Sequence, residues 1–348
     1  MGAFGEWEVP LYYSTVIEEH QAVRSLVGIF DISHMGEIYV EGSQAKETLN
    51  YIVTNRMERL SPGKALYSPV CNEHGGIVDD VIVYELDPER YLVIVNASNV
   101  EKDYEWFLKH CSKDVKITNR SNELGLLAIQ GPKSALLLQK VFSSSFKQLA
   151  YYSMMQMSSP WEGVLVARTG YTGELGFEIV VSQDNLEEVY STVMEKGKEF
   201  GIKPIGFGAR DTLRLEAAMF LYGQDMDDTT TPLEAGLERT VVFEKEFVGR
   251  KALLAQKEAG VSRKLVGFEM LGHGLVRHGY PVYRGNRQIG QVTSGSFAPT
   301  LKKNIGLAYL AIGEIDSKKP IDIQIRSNQI SAQIVKLPFY QKKQGVIE

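Results

Sequence analysis

The sequence predicts an α+β protein finished by a small all-β domain, and three observations carry that prediction. Its 348 residues exceed what one ordinary core organises, so two or three domains are expected. Up to about residue 248, runs that alternate apolar and polar residues are interleaved with amphipathic stretches of helical period, the mixture expected of mostly antiparallel α+β units. Beyond Gly249 the pattern changes to six short strands punctuated by Gly and Pro, which reads as a closed or sandwich β domain.

Composition narrows the function classes. Hydrophobic residues make up 44% and charged residues 23%, the balance of a globular protein rather than a disordered one. A net charge of −5 argues against a dedicated nucleic-acid binder, and no segment approaches the roughly 20 consecutive apolar residues of a membrane span. Cys71 and Cys111 can form at most one disulfide, and neither has a Cys or His partner at metal-ligand spacing. No metal is expected, and a reduced, cytoplasmic setting is. The first residues show neither a basic leader with an apolar run nor an Arg/Ser-rich amphipathic stretch, so no targeting segment is expected.

Taken in order, residues 6–13 read as extended and 16–27 as an amphipathic helix. Asp31-Ile32-Ser33-His34-Met35 leads into a strand over 37–40, with His34 open to a structural or a basic role. Residues 43–53 suit a helix with Ser43 as N-cap. After the turn Asp87-Pro88-Glu89-Arg90, a strand over 91–95 precedes Asn96-Ala97-Ser98-Asn99, whose side chains suit N-capping of a helix to about His110. Strands follow over 126–130, 164–167 and 177–181, and helices over 134–141, 186–200 and 209–220. Gly170, Gly173 and Gly176 sit at a spacing that matches neither dinucleotide nor P-loop motifs. Arg210 falls in a first helical turn, where the dipole disfavours a cation, so it needs a particular partner or a neighbouring acid.

The stretch from Tyr67 to Tyr84 is the centre of the chain. Two apolar runs joined by Asn72-Glu73-His74-Gly75 read as a β-hairpin with a four-residue loop, and a symmetrical loop places Tyr67 opposite Asp80. Alternation puts Val78, Asp80, Ile82 and Tyr84 on one face and Asp79 on the other. Burying a carboxylate among Val, Ile and Tyr is costly unless something meets it. Asp80 is therefore either paired within the fold or reserved for a ligand.

Five motifs add a resemblance. Phe30-Asp31-Ile32-Ser33-His34-Met35-Gly36-Glu37, Asn72-Glu73-His74-Gly75-Gly76-Ile77-Val78-Asp79-Asp80, Arg168-Thr169-Gly170-Tyr171-Thr172-Gly173-Glu174, Gly208-Ala209-Arg210-Asp211-Thr212-Leu213-Arg214-Leu215-Glu216 and Thr293-Ser294-Gly295 occur in that order. Together they resemble the aminomethyltransferase, or T-protein, family of the glycine cleavage system, over almost the whole chain. The chain departs from the family at Gly5-Glu6-Trp7, where members carry Ala-Gly-Trp.

The resemblance implies a three-domain cloverleaf around a central folate cavity, with antiparallel sheets, helices and a C-terminal β-barrel. A discontinuous first domain spans 1–40 and 137–248, a second domain over 41–136 is inserted into it and carries the hairpin, and 249–348 form the barrel. Asp80 matches the family's catalytic carboxylate. Tyr67, Tyr84 and Tyr171 match tyrosines lining the cavity, Glu178 the glutamate that grips the pterin, and Arg210 an arginine of the folate site. Lys302, Lys303, Lys342 and Lys343 are candidates for a folate tail or an acidic partner, or are simply solvated. Tetrahydrofolate would be the co-substrate and the lipoylated H-protein the donor, with glycine dehydrogenase and dihydrolipoyl dehydrogenase as the other components. The alternatives are another folate-dependent demethylase of the superfamily, or a non-catalytic folate-binding protein. The latter carry a Cys-containing motif where this chain reads Phe247-Val248-Gly249-Arg250-Lys251-Ala252.

Overall fold

The computed structural model describes residues 1–4 and 7–342, so Gly5, Glu6 and Lys343 lie outside the described residues. The chain forms two principal sheets and a closed barrel. One sheet has five antiparallel strands in the order Lys64–Cys71, Ile77–Asp87, Arg90–Val95, Gly36–Glu41, Lys116–Asn119. The other has six, in the order Met154–Met157, Val164–Ala167, Gly176–Ser182, Leu124–Gln130, Gly28–Asp31, Lys203–Pro204, of which only the last pair is parallel.

Strand Gly36–Glu41 belongs to the five-stranded sheet and Leu124–Gln130 to the six-stranded one, so the chain changes sheet near residues 32–35 and 120–123. Gly42 and Gly131, turn glycines with φ of 130° and 127°, follow the ends of strands Gly36–Glu41 and Leu124–Gln130.

Each sheet packs twice. Ile38, Val40, Val81, Val83 and Val93 are buried against helices Ala45–Ile52 and Val100–His110, while Ile129, Phe177 and Ile179 are buried against Ser134–Phe142 and Gln183–Gly197. The inner faces meet each other, with Tyr84, Leu92 and Ile94 against Phe30, Leu126 and Val180. Full burial of each such side chain contributes about 1.5–3 kcal/mol, so period-two alternation in the strands fixes which residues form three separate cores. Helix Ala45–Ile52 starts without a side-chain cap; the expected cap, Ser43, lies one residue too early.

The barrel closes in the order Arg263–Met270, Lys303–Ala311, Arg287–Ala298, Pro281–Arg284, Ile321–Ile325, Asn328–Val335, and a helix not anticipated, Arg250–Ala259, precedes it. It meets the rest of the molecule through Leu215 and Phe220, which pack with barrel residues Leu265, Ile305 and Leu307, and through polar contacts. Asp225 accepts from Thr293 Oγ1 at 2.5 Å and from Arg214 at 2.6 Å, its backbone carbonyl accepts from Tyr309 Oη at 2.8 Å, and Arg214 also donates to Ser294 Oγ at 2.9 Å. Among the described residues no helix is long and apolar enough to cross a membrane.

Candidate active site

The hairpin is built differently from the symmetrical one expected. Asn72 Oδ1 accepts from the backbone N–H of His74 and of Gly76 at 2.9 and 3.0 Å, and its own N–H donates to Gly76 O at 2.8 Å, which closes a longer loop. A bulge follows, with Val70 opposite Asp79 but Cys71 opposite Ile77. Pro69, not Tyr67, therefore faces Asp80, and Val78 turns into the helix-side core rather than sharing Asp80's face. Tyr67 pairs with Ile82 and reaches Asp80 diagonally.

A cavity of about 270 Å³ opens where the two inner faces part, near the low end of the ~300–1,000 Å³ usual for small-molecule sites. Its wall is mostly apolar, with Ile32, Met35, Ile82, Ile94, Leu126 and Phe220, and the polar groups Tyr67, Asp80, Asn96, Tyr171, Glu178 and Arg210 project into it. Five of the six residues expected at the site are thus brought together. Tyr84 is not: it is 3% exposed behind the wall, and its hydroxyl pairs with Thr169 Oγ1 at 3.1 Å. Thr169 Oγ1 donates in turn to Glu178 Oε2 at 2.5 Å, so Tyr84 supports Glu178 from the rear. The barrel supplies none of the lining residues named for the cavity. Lys303 and Lys342 pair with Glu269 and Glu174 away from it.

Asp80 accepts from Tyr67 Oη at 3.1 Å on Oδ2 and from Asn96 Nδ2 at 2.9 Å on Oδ1. Burial, and then the charge of Asp79, push its carboxyl up to about 7 against the pull of these two donors. Asp79 points away from the cavity, as alternation requires, and accepts from Asn96 N, Asn96 Nδ2 and Asn99 Nδ2 at 2.9, 2.8 and 2.6 Å. The two asparagines expected as helix caps are therefore spent on the aspartates instead.

On the opposite wall, Glu178 alternates with buried Phe177 and Ile179. Burial raises its carboxyl while the Thr169 hydrogen bond and then Arg210 lower it, and Oε1 has no donor among the described residues. Arg210 lies over the Tyr171 ring at 4.9 Å, and its guanidinium makes no hydrogen bond or ion pair within the described residues. Burial lowers its proton affinity. Tyr171 is held by donation to Phe220 O. His34 is buried with its ring 5.0 Å from that of Phe207; burial, then Arg210, push it down to about 3, so it is neutral near pH 7. The glycine run has a packing reason: a Cβ on Gly170 or Gly176 would fall 2.1 or 2.3 Å from the Gln130 side chain. Gln130 donates to Thr169 O and Phe177 O and accepts from Thr172 Oγ1.

Two wall residues escaped the sequence. Asn96 carries a usable signal, since it continues the parity of Ile94 across from Asp80. Tyr152 carries none: it is in a loop, and its φ of 56° exists only because Ala65 and Arg168 clamp its backbone. Among the described residues no group of three or more His, Cys, Asp and Glu could hold a metal ion.

Comparisons with known proteins show the family. The profile of the GCVT N-terminal domain matches residues 1–245, and that of the glycine cleavage T-protein C-terminal barrel domain matches residues 263–341. The aminomethyltransferase of Halothermothrix orenii is 48% identical over 337 residues, covering 97% of this chain and 94% of that protein. The one from Desulforamulus reducens is 45% identical over 344 residues, covering 99% and 94%. The crystal structure of glycine cleavage system aminomethyltransferase T from Bartonella henselae superimposes with a TM-score of 0.92 at 32% identity, over 98% of this chain and 94% of that one. With both domain profiles matched in order and relatives similar over nearly their full length, this chain belongs to the glycine cleavage T-protein family.

Proposed function

We propose that the chain is the aminomethyltransferase of a glycine cleavage system. It would take an aminomethyl group from the dihydrolipoyl arm of a lipoylated H-protein, pass the methylene to tetrahydrofolate and release ammonia. The observation that carries this reading is a mostly apolar cavity into which three polar groups project with bonding capacity to spare: Asp80, Glu178 Oε1 and the Arg210 guanidinium. A pterin edge presents adjacent N–H donors that a carboxylate accepts in parallel, and oxygens that a guanidinium can hold, so these residues fit the group.

Each residue then has a task. Glu178 and Arg210 anchor and orient the ring, with Tyr84 and Thr169 holding Glu178 from behind. Asp80 faces the reacting carbon. As the C–N bond breaks and ammonia leaves, positive charge grows on that carbon, and a fixed carboxylate in an apolar cavity stabilises it. The folate nitrogens that bond to the methylene give up two protons; one leaves with ammonia and one ends on the lipoyl sulfur as the C–S bond breaks. A carboxyl pushed up to about 7 can carry such a proton.

The H-protein is the donor, and glycine dehydrogenase and dihydrolipoyl dehydrogenase load and reoxidise its arm. A cytoplasmic site of action is supported by two unpaired cysteines, one of them buried. The test is to incubate the protein with aminomethylated lipoyl H-protein and tetrahydrofolate and follow methylenetetrahydrofolate and ammonia. Equal, folate-dependent release of both is expected; ammonia without methylenetetrahydrofolate, or neither, refutes the proposal.

A further inference from the structure

Behind Asp80, on the far side of the hairpin strand from the cavity, lies a second pair of acids. Asp79 and Asp103, the latter in helix Val100–His110, are both 0% exposed. Asp79 takes three N–H donors, from Asn96 twice and Asn99 once. Neither carboxyl oxygen of Asp103 receives an N–H or O–H from the described residues. The nearest cation in sequence, Lys102, is spent elsewhere, on Val78 O at 2.6 Å and Tyr222 Oη at 2.9 Å. Two carboxylates that share a hydrogen bond, neither with an ion-pair partner among the described residues, cannot both stay ionised in a dry interior. The donors decide which one keeps the charge: Asp79 has three and Asp103 none.

We propose that Asp103 is a positioning residue that remains a neutral acid, its carboxyl O–H donating to Asp79. That single hydrogen bond holds Asp79 as the anion that grips Asn96, and Asn96 Nδ2 spans Asp79 Oδ1 and Asp80 Oδ1 at 2.8 and 2.9 Å. The proton on Asp103 thereby sets both the direction of the Asp80 carboxylate and the negative charge it feels. The groups facing Asp103 set the same balance: burial comes first, then Asp79, with which it shares a hydrogen bond, and then Asp80, and against the opposing pull of Lys102 they hold its carboxyl well above the usual range. From the 220–228 segment Tyr222 faces the pair, itself raised by burial and then by Asp79, Asp228, Asp103 and Asp227, while Asp225 is bonded to Arg214.

The inference rests on Asp80 serving the reaction, yet the state of Asp103 can be read without turnover. At about pH 8, the infrared difference between wild type and Asp103→Asn should show the C=O band of a carboxylic acid lost from wild type; loss of carboxylate bands instead overturns the proposal. The pH dependence of turnover is the second arm. Asp103→Asn keeps a neutral donor to Asp79, so the acid limb should stay within about 0.3 pH unit of wild type. If Asp103 were an anion, the same change would move that limb clearly downward. Asp103→Leu removes the donor, so kcat should fall roughly ten- to a hundredfold, with the KM for tetrahydrofolate changing far less. Unaltered kcat in a folded Asp103→Leu also refutes it. If Asp103→Leu does not fold, the infrared band and the Asp103→Asn profile still decide. Failure of Asp80→Asn to affect turnover would refute the catalytic reading of Asp80 while leaving the infrared result standing.

Discussion

Arg210 and Arg214 stand one turn apart on helix Phe207–Glu216, yet they live in opposite electrostatic worlds. Arg214 is 1% exposed and fully met, by Asp225 at 2.6 Å, Asp211 at 2.8 Å and Ser294 at 2.9 Å. Its acid partners raise its proton affinity despite burial. Arg210 borders the cavity with only an aromatic face beneath it, and burial lowers its affinity. A buried charge whose partners are all protein holds the fold together; one whose hydrogen bonds are left unmade points at something that arrives later. The same contrast separates Asp225, enclosed by Arg214, Thr293 and the backbone N–H of Leu221, from Asp80, which shares a cavity wall with three phenols.

The largest expected effect belongs to the unmet side. Asp80→Asn keeps the size of the side chain and removes its charge, so turnover should fall on the order of 10²–10⁴-fold with the fold intact. Stability supplies a signed companion. The Asp80 carboxyl is raised in the folded state from 3.8 to about 7, so wild type loses stability as pH rises from the unfolded value through the folded one. Asp80→Asn should therefore melt at the same temperature as wild type near pH 4 and increasingly above it toward pH 7, with the difference constant beyond. A variant less stable than wild type at pH 8 would show that Asp80 is paired inside the fold after all.

The met side should break the other way. Arg214→Leu leaves Asp225 buried without its cation and should cost about 3–5 kcal/mol of folding stability, read in chemical denaturation. Arg210→Leu should cost little or no stability yet weaken tetrahydrofolate binding roughly ten- to a hundredfold in calorimetry. Similar stability losses for both would erase the distinction. Smaller still, Glu178→Gln retains one acceptor and should weaken folate binding about tenfold. Replacing Cys71 and Cys111 with Ser should leave turnover unchanged, because neither thiol lines the cavity.

The sequence carried the fold well where a periodicity recorded it. Glu178, flanked by buried Phe177 and Ile179, and Asp80, set between Asp79 and Val81, could be assigned faces from alternation alone, and the six barrel strands stood out by their punctuation. It misled where a single backbone irregularity decided the outcome. The bulge after Val70 shifted the hairpin pairing and sent Val78 to the other core, and nothing in Cys71-Asn72-Glu73-His74-Gly75-Gly76 distinguishes a four-residue loop from the longer one closed by Asn72. Sheet membership of Gly36–Glu41 and Leu124–Gln130 depends on partners far away in sequence, which no local pattern records. Asn96 and Asn99 matched a capping pattern, and tertiary contacts to Asp79 overrode it. Tyr84 shares the parity of Asp80 but lies deeper, where the second sheet covers it.

The dependence of turnover on pH, between about pH 5 and pH 9, for wild type, Asp79→Asn and Asp80→Asn bears most directly on Asp80 as the working carboxylate of the cavity. Wild-type turnover should rise through an acid limb near the value of about 7 to which Asp80 is pushed. Asp79→Asn removes the neighbouring charge and should move that limb to lower pH while leaving the protein active, and Asp80→Asn should abolish the limb along with most of the rate. An unmoved limb in Asp80→Asn, or inactivity in a folded Asp79→Asn alone, would place the chemistry on a different residue.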